Sequence, residues 1–187
     1  MTDIDHFLFH LINGVWINPM LDLCMTLLSR VNDYALVWLV LLGALAALGG
    51  RIGRRAALAS LIALVVGVAS SEVLKNRMIQ PRPFLSLSDV RLLVSPPSSY
   101  SLPSVNATYA FAASSGALLA ARRLLGRVSL WGWSFLALAV AISYSRIYVG
   151  VHYPTDVLSG ALLGLFAGWL AAFIVDRLGN TKHSEGG

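Results

Sequence analysis

The chain has 187 residues, of which 57% are hydrophobic and 12% charged, with a formal net charge of +5. Ordinary soluble domains carry about 25% charged residues, so this balance excludes that class and predicts an integral membrane protein. The positive charge argues little for nucleic acid as a partner, because the basic residues fall at the ends of apolar runs and not along one soluble face.

The start, MTDIDHFLFHLINGVW, is acidic and lacks the positive stretch, apolar run and small-residue site of a cleaved signal, so it is expected to be retained. Its pattern suits an amphipathic N-terminal interfacial helix with Phe7, Leu8, Leu11, Ile12 and Trp16 toward lipid; a frayed helix start is the alternative. Residues 17–31, INPMLDLCMTLLSRV, form a weak first span, because Asp22 is costly facing lipid. Cys24, the single cysteine, forms no intramolecular disulfide and is expected in the core.

A membrane helix needs about 20 mostly apolar residues. Five stronger segments meet that need, at 35–50, 55–76, 105–124, 129–148 and 155–176. The expected fold is all-α, a polytopic membrane helix bundle of about six transmembrane helices. It forms a single domain over residues 1–178, followed by a disordered polar tail at 179–187. Small residues in SSGALLAA and SGALLGLFAG suit close helix packing in a bilayer.

Lys and Arg favour the cytoplasmic side of short loops. With six spans, Arg51, Arg54, Arg55, Arg122, Arg123, Arg127, Arg177 and Lys182 share one face. The other holds Arg30, Lys75, Arg77, Arg82, Arg91 and Arg146, three of which belong to the motifs below. Setting those three aside leaves eight against three, which places both termini in the cytoplasm and the connections 77–104 and 149–154 outside. If residues 17–31 do not cross, the N-terminus moves outside and the motif face stays.

Three unusual stretches lie on that outer face: KNRMIQPRP with Lys75 and Arg82, PSVN with Ser104 and Asn106, and SRIYVGVHYPTD with Ser145, Arg146, His152 and Asp156. Three cations brought together repel unless an anion lies between them. Lys supplies a compact charge and Arg grips phosphate oxygens in bidentate fashion. Ser104, next to a helix start, adds a hydroxyl and nearby N–H donors. A neutral imidazole held by a carboxylate is a competent nucleophile or base, and His152 and Asp156 are spaced to meet at one helix turn. Taken singly, an Arg at a helix end is an interfacial anchor and a His a polar cap. Glu72 is expected to pair with Lys75 one turn away, and Arg77 and Arg91 to be loop charges.

Together these stretches resemble the type 2 phosphatidic acid phosphatase (PAP2) superfamily of membrane lipid phosphatases, in particular its undecaprenyl-diphosphate phosphatase-like members. Six residues separate Lys75 from Arg82-Pro83, five separate Ser145-Arg146 from His152, and three separate His152 from Asp156, as in the family pattern. The resemblance implies a phosphate clamp of Lys75, Arg82 and Arg146 with Ser104 as a further ligand. It makes His152 the nucleophile that forms a phosphohistidine and Asp156 the group that orients it. It also implies catalysis without a metal or cofactor, on a lipid phosphate or diphosphate in the bilayer of a bacterial plasma membrane. The absence of a His or carboxylate cluster at ligand spacing agrees with that.

Asn106 stands where the family pattern has the histidine that protonates the leaving group and activates water. An amide neither gives nor takes a proton near neutral pH. An alkoxide leaving a lipid monophosphate, with a conjugate acid of pKa about 15.7, needs that proton badly. A phosphate monoester leaving a diphosphate, with a second pKa about 6, departs as an anion. The favoured substrate is therefore a polyprenyl diphosphate. A phosphatidate or phosphatidylglycerophosphate monoester is the nearest rival, and a disabled lipid-binding or lipid-moving protein is the third reading. Tyr109 and Thr108 are candidates for the missing proton function by proximity alone, and the apolar stretch FLSLSDVRLLVSPPSSYSL is expected to rest on the bilayer.

Overall fold

The computed structural model describes residues 3–184, and every regular element among them is helical. The order is α1 (Asp3–His10) with a π-helical turn (Leu11–Val15), α2 (Pro19–Val31), a 3₁₀ turn (Asp33–Ala35), α3 (Leu36–Leu48) and α4 (Gly50–Met78). A short α5 (Pro83–Ser86), then α6 (Val105–Leu125), α7 (Leu130–Tyr148) and α8 (Pro154–Ser184) complete it. Local chemistry sets the boundaries. Asn18 accepts the Leu21 N–H at 2.8 Å ahead of Pro19 in the first turn of α2. Gly126, at φ +70°, ends α6 in the left-handed region.

The core is built on α6, which packs against α4, α7 and α8. Its Ala107, Ala110, Ala112, Ala113, Ala117 and Ala121 are all fully buried. On α8, Gly160, Gly164 and Gly168 recur every fourth residue and bring the two backbones together. A Cβ at Gly164 would lie 2.7 Å from the Thr108 carbonyl oxygen and 2.8 Å from the Ala112 nitrogen. Such small-residue seams replace hydrophobic driving force where lipid surrounds a bundle.

Among the described residues three helices are long and apolar enough to cross a membrane, within Gly50–Ser86, Leu130–Tyr148 and Pro154–Gly179, or four if the bent pair Asp3–Val15 and Pro19–Val31 is one span. The expected span at 105–124 coincides with α6, which is too polar to be one of these three. Its Ala, Ser and Gly residues face other helices, so it needs little lipid-facing apolar surface. The expected span at 35–50 is a shorter apolar helix, α3. The last helix continues through Ser184, past residue 179 where a disordered tail is expected, and residues 185–187 lie outside the described part.

The weak first span, α2, folds over the site end. α2 does not run the length of the bundle, because both its ends touch the site end of α7. Asp22 accepts from the Tyr148 hydroxyl at 2.7 Å and from Arg91 at 2.8 Å, while Ser29 is hydrogen-bonded to Arg146. The cost of placing Asp22 in lipid is thereby avoided, and Arg91 is its partner and not a free loop charge. α1 lies on the same end, with Asp5 accepting from the Thr155 N–H at 3.0 Å and hydroxyl at 2.7 Å. The opposite end gathers Arg55 on the Val175 carbonyl and Arg123 on the Ala172 carbonyl. Asp5 and the C-terminal part of α8 therefore sit at opposite ends of the bundle.

The segments Asp3–Val15 and Pro19–Val31 meet at 117°. Phe7, Leu8 and Trp16 are exposed as an interfacial helix requires, but Ile12 packs inward with Phe9, Ile147 and Tyr153. Cys24 is exposed on α2 and is not a core residue. The stretch after α5 also turns inward, since Leu92, Leu93 and Val94 pack on Tyr148, Val149 and Val151. Met78, Ile79, Leu85 and Tyr100 are among the apolar side chains exposed in or near it.

The α6–α8 seam yields a stability prediction. Gly164→Val forces a side chain against the α6 backbone, and overpacking of this kind costs about 1–3 kcal/mol. Thermal unfolding in detergent should show Tm several degrees lower for Gly164→Val, with Leu162→Val, at an exposed position on α8, close to the parent.

Candidate active site

Four helix ends meet at one face: the last turns of α4 and α7 and the starts of α6 and α8. They enclose a cavity of about 540 Å³ whose walls include Lys75, Arg82, Asn106, Arg146 and His152. This is the size range of small-ligand sites. The cations are almost wholly buried, with Lys75 at 4%, Arg82 at 3% and Arg146 at 5% exposure. Such burial is tolerated only with hydrogen-bond partners, and each has them.

Arg82, just ahead of α5, is the most constrained. Its Nε donates to the Ser99 carbonyl at 2.7 Å, Nη1 to the Val151 carbonyl at 2.8 Å, and Nη2 to Ser99 Oγ at 3.1 Å and the Tyr100 carbonyl at 3.3 Å. Lys75 Nζ donates to the same Ser99 hydroxyl at 3.3 Å. Arg146 Nη1 donates to Ser29 Oγ and lies 3.9 Å from Asp33 Oδ1. Lys75 therefore uses Ser99 and not the expected Glu72 as its hydrogen-bond partner, and the Glu72 carboxylate lines the cavity.

His152 precedes α8 and is 2% exposed. Arg82 Nη1 lies 3.1 Å from its Nε2. A guanidinium has no acceptor to offer, so Nε2 is the unprotonated nitrogen, with its lone pair turned to Arg82 Nη1. Nδ1 then bears the proton and faces Asp156 Oδ2 and Ser101 Oγ, both at 3.4 Å. Burial first, then the positive charges of Arg82, Arg146 and Lys75, hold the His152 pKa well below its ordinary value. The imidazole is thus neutral at physiological pH.

Asp156 is fully buried behind it. Its carboxylate accepts from Ser101 Oγ at 2.5 Å, Gln80 Nε2 at 2.9 Å and the Tyr153 N–H at 2.8 Å. Those three donors hold the carboxylate more tightly than His152 does. Ser99, Ser101 and Gln80 are residues that motif reading misses, although Gln80 lies inside KNRMIQPRP and Ser101 two residues ahead of PSVN. The Ser101 N–H donates to the Gln80 carbonyl at 2.9 Å, which joins the two stretches.

The structure does not bring Ser104 to the cavity wall. Its hydroxyl faces the Ala107 N–H at 3.5 Å as the α6 cap, and its own N–H donates to the Asp156 carbonyl at 2.9 Å. Thr108 is buried between α4 and α6, bonded to Ser71 and the Ser104 carbonyl. Tyr109 does line the cavity. Asn106 stands between two donors, Asn32 Nδ2 at 3.0 Å and Arg146 Nη2 at 3.2 Å, so its amide oxygen serves one at a time. Asn32 is itself oriented by the Trp38 indole N–H at 2.8 Å, and it also donates to the Asn106 carbonyl at 3.1 Å.

Comparison with known proteins follows the same lines. Residues 56–179 match the model of the PAP2 superfamily. The chain is 37% identical over 133 residues to an undecaprenyl-diphosphatase of Sulfolobus acidocaldarius, covering 71% of this chain and 61% of that protein. It therefore spans about three fifths of that relative's length. It is 34% identical over 159 residues to a decaprenylphosphoryl-5-phosphoribose phosphatase of Mycobacterium tuberculosis, covering 83% and 79% of the two chains. The crystal structure of Aquifex aeolicus LpxE superposes with a TM-score of 0.76 at 29% identity, covering 91% of this chain and 95% of that one. With a family match over residues 56–179, and a cavity lined by buried cations and a histidine, this chain belongs to the PAP2 superfamily.

Proposed function

We propose that the protein hydrolyses a polyprenyl diphosphate to its monophosphate, with His152 Nε2 attacking the terminal phosphorus. Lys75, Arg82 and Arg146 grip the phosphoryl oxygens, and the Asp156 carboxylate stabilises the imidazolium that forms as the P–N bond is made. The phosphohistidine is then hydrolysed by water. Ser104 acts by capping α6 and anchoring Asp156, and not as a direct phosphate ligand.

One observation carries the choice of substrate: the position facing Arg146 on the cavity wall is an amide, Asn106, bound to Asn32. No proton comes from it, and a diphosphate has a leaving group that does not need one. The undecaprenyl-diphosphatase name of a relative supports the reading. The name of the other relative, decaprenylphosphoryl-5-phosphoribose phosphatase, favours a phosphate monoester on a prenyl lipid as the second reading.

The membrane arrangement that follows has α3, α4, α6, α7 and α8 running across a plasma membrane. Arg51, Arg54, Arg55, Arg122, Arg123, Arg127 and Arg177 mark the cytoplasmic end. The cavity, α1 and α2 face outside, where α1 lies in the interface. The catalytic unit is a single domain that reaches into α8.

Phosphate release by the purified protein, with EDTA present, should be seen on a polyprenyl diphosphate and be much slower on a phosphatidate. His152→Ala should abolish it while binding persists, and equal turnover in that variant overturns the proposal. Asn106→His should raise monoester hydrolysis by about 10²-fold or more, the lower end of what general acid help supplies, and alter diphosphate cleavage far less. Ser101→Ala should lower kcat about tenfold or more with little change in KM, because the Asp156 carboxylate loses its shortest donor, and Ser101→Thr should restore it.

A further inference from the structure

The leaving-group argument covers only the first half of the reaction. A phosphohistidine must still be cleaved by water, and the missing histidine is the group that would take the water's proton. Resting on the reading above, we propose that Asp33 supplies this function as the general base of the second step.

Asp33 lines the same cavity as His152 and Arg146, an odd place for a carboxylate in an anion site unless it has work to do there. Its Oδ1 lies 3.9 Å from Arg146 Nη1, while Asn106 lies 3.2 Å from Nη2 of the same guanidinium. The carboxylate and the amide thus flank one phosphate-gripping group. At 3.9 Å the ion pair is too long for a direct hydrogen bond, and the Asp33 side chain is 51% exposed, so it keeps access to water. Its placement is set by its neighbour: Asn32, locked by Trp38, is bonded to both the backbone and the side chain of Asn106. Glu72 also lines the cavity, but among the described residues it has no hydrogen bond or ion pair to Arg82, Arg146 or His152.

The step balances without a further reactant. Water oxygen bonds to phosphorus, the P–N bond breaks, and its electron pair returns to Nε2 of His152, which keeps its Nδ1 proton. The water's second hydrogen stays on the phosphate, and the transferred proton passes to the Asp33 carboxylate and then to solvent. An ionised carboxylate accepts a proton but has none to give, so a base of this kind suits a substrate that needs no acid in the first step.

The test uses the full-length protein in detergent and the lipid phosphate that the parent turns over, radiolabelled on its transferred phosphate. Asp33→Asn should still release one equivalent of dephosphorylated lipid in a burst and accumulate acid-labile labelled protein, with steady-state turnover down about tenfold or more. Asn106→His placed in the Asp33→Asn background should restore turnover, a rescue that a merely structural role would not allow. Unchanged turnover in Asp33→Asn, equal loss of burst and turnover, or accumulation in Glu72→Gln instead overturns the proposal and leaves the phosphatase reading standing. A parent that forms no labelled protein and releases no phosphate overturns both.

Discussion

Three almost wholly buried cations around one cavity are the constraint on which the rest of this structure depends. Burying a charge is costly without partners, and bringing like charges together adds to the cost. The fold meets that demand with the carbonyls of Ser99, Tyr100 and Val151 and the hydroxyls of Ser29 and Ser99. Lys75 and Arg146 sit in the last turns of α4 and α7, where the helix dipole favours positive charge. Backbone polarity holds the cations in place, and their unsatisfied charge is left for an anion.

The same field explains the histidine. A base inside a positive, buried pocket is kept neutral, and Arg82 selects the tautomer by pointing a donor at Nε2. Asp156 is oriented by Gln80, Ser101 and the Tyr153 N–H before it meets His152. Gln80 and Ser101 come from the connections on either side of α5, so that segment acts as a scaffold of the site. The N-terminal segment lines the cavity with Ser29 and Asp33, and its Asn32 holds Asn106.

Motif spacing makes much of this site legible. Lys75, Arg82, Arg146, His152 and Asp156 are separable from ordinary interfacial charges because their intervals are fixed together, and all five fall in or directly behind the cavity. Ser104 is the exception, since a serine before a helix serves equally as a cap, and only the direction of its hydroxyl distinguishes the roles. Gln80, Ser99 and Ser101 carry no spacing signal at all. Their importance arises from contacts with residues 17 to 76 positions away, which local patterns do not encode.

By itself, the sequence determined the membrane environment, the all-helical class and the spacing of the reactive groups, because apolar length, small-residue recurrence and motif intervals are properties of neighbouring residues. Tertiary structure decided that α6 is a buried core helix despite its span-like length, because the glycines of α8 take its backbone into van der Waals contact. It also decided that α2 folds over the site end, because Asp22 finds Arg91 and Tyr148 there and Ser29 finds Arg146. The neighbours of Asn106 belong to the same category. An amide is legible as the loss of a proton donor, but the carboxylate placed near it is brought by chain packing from 73 positions away.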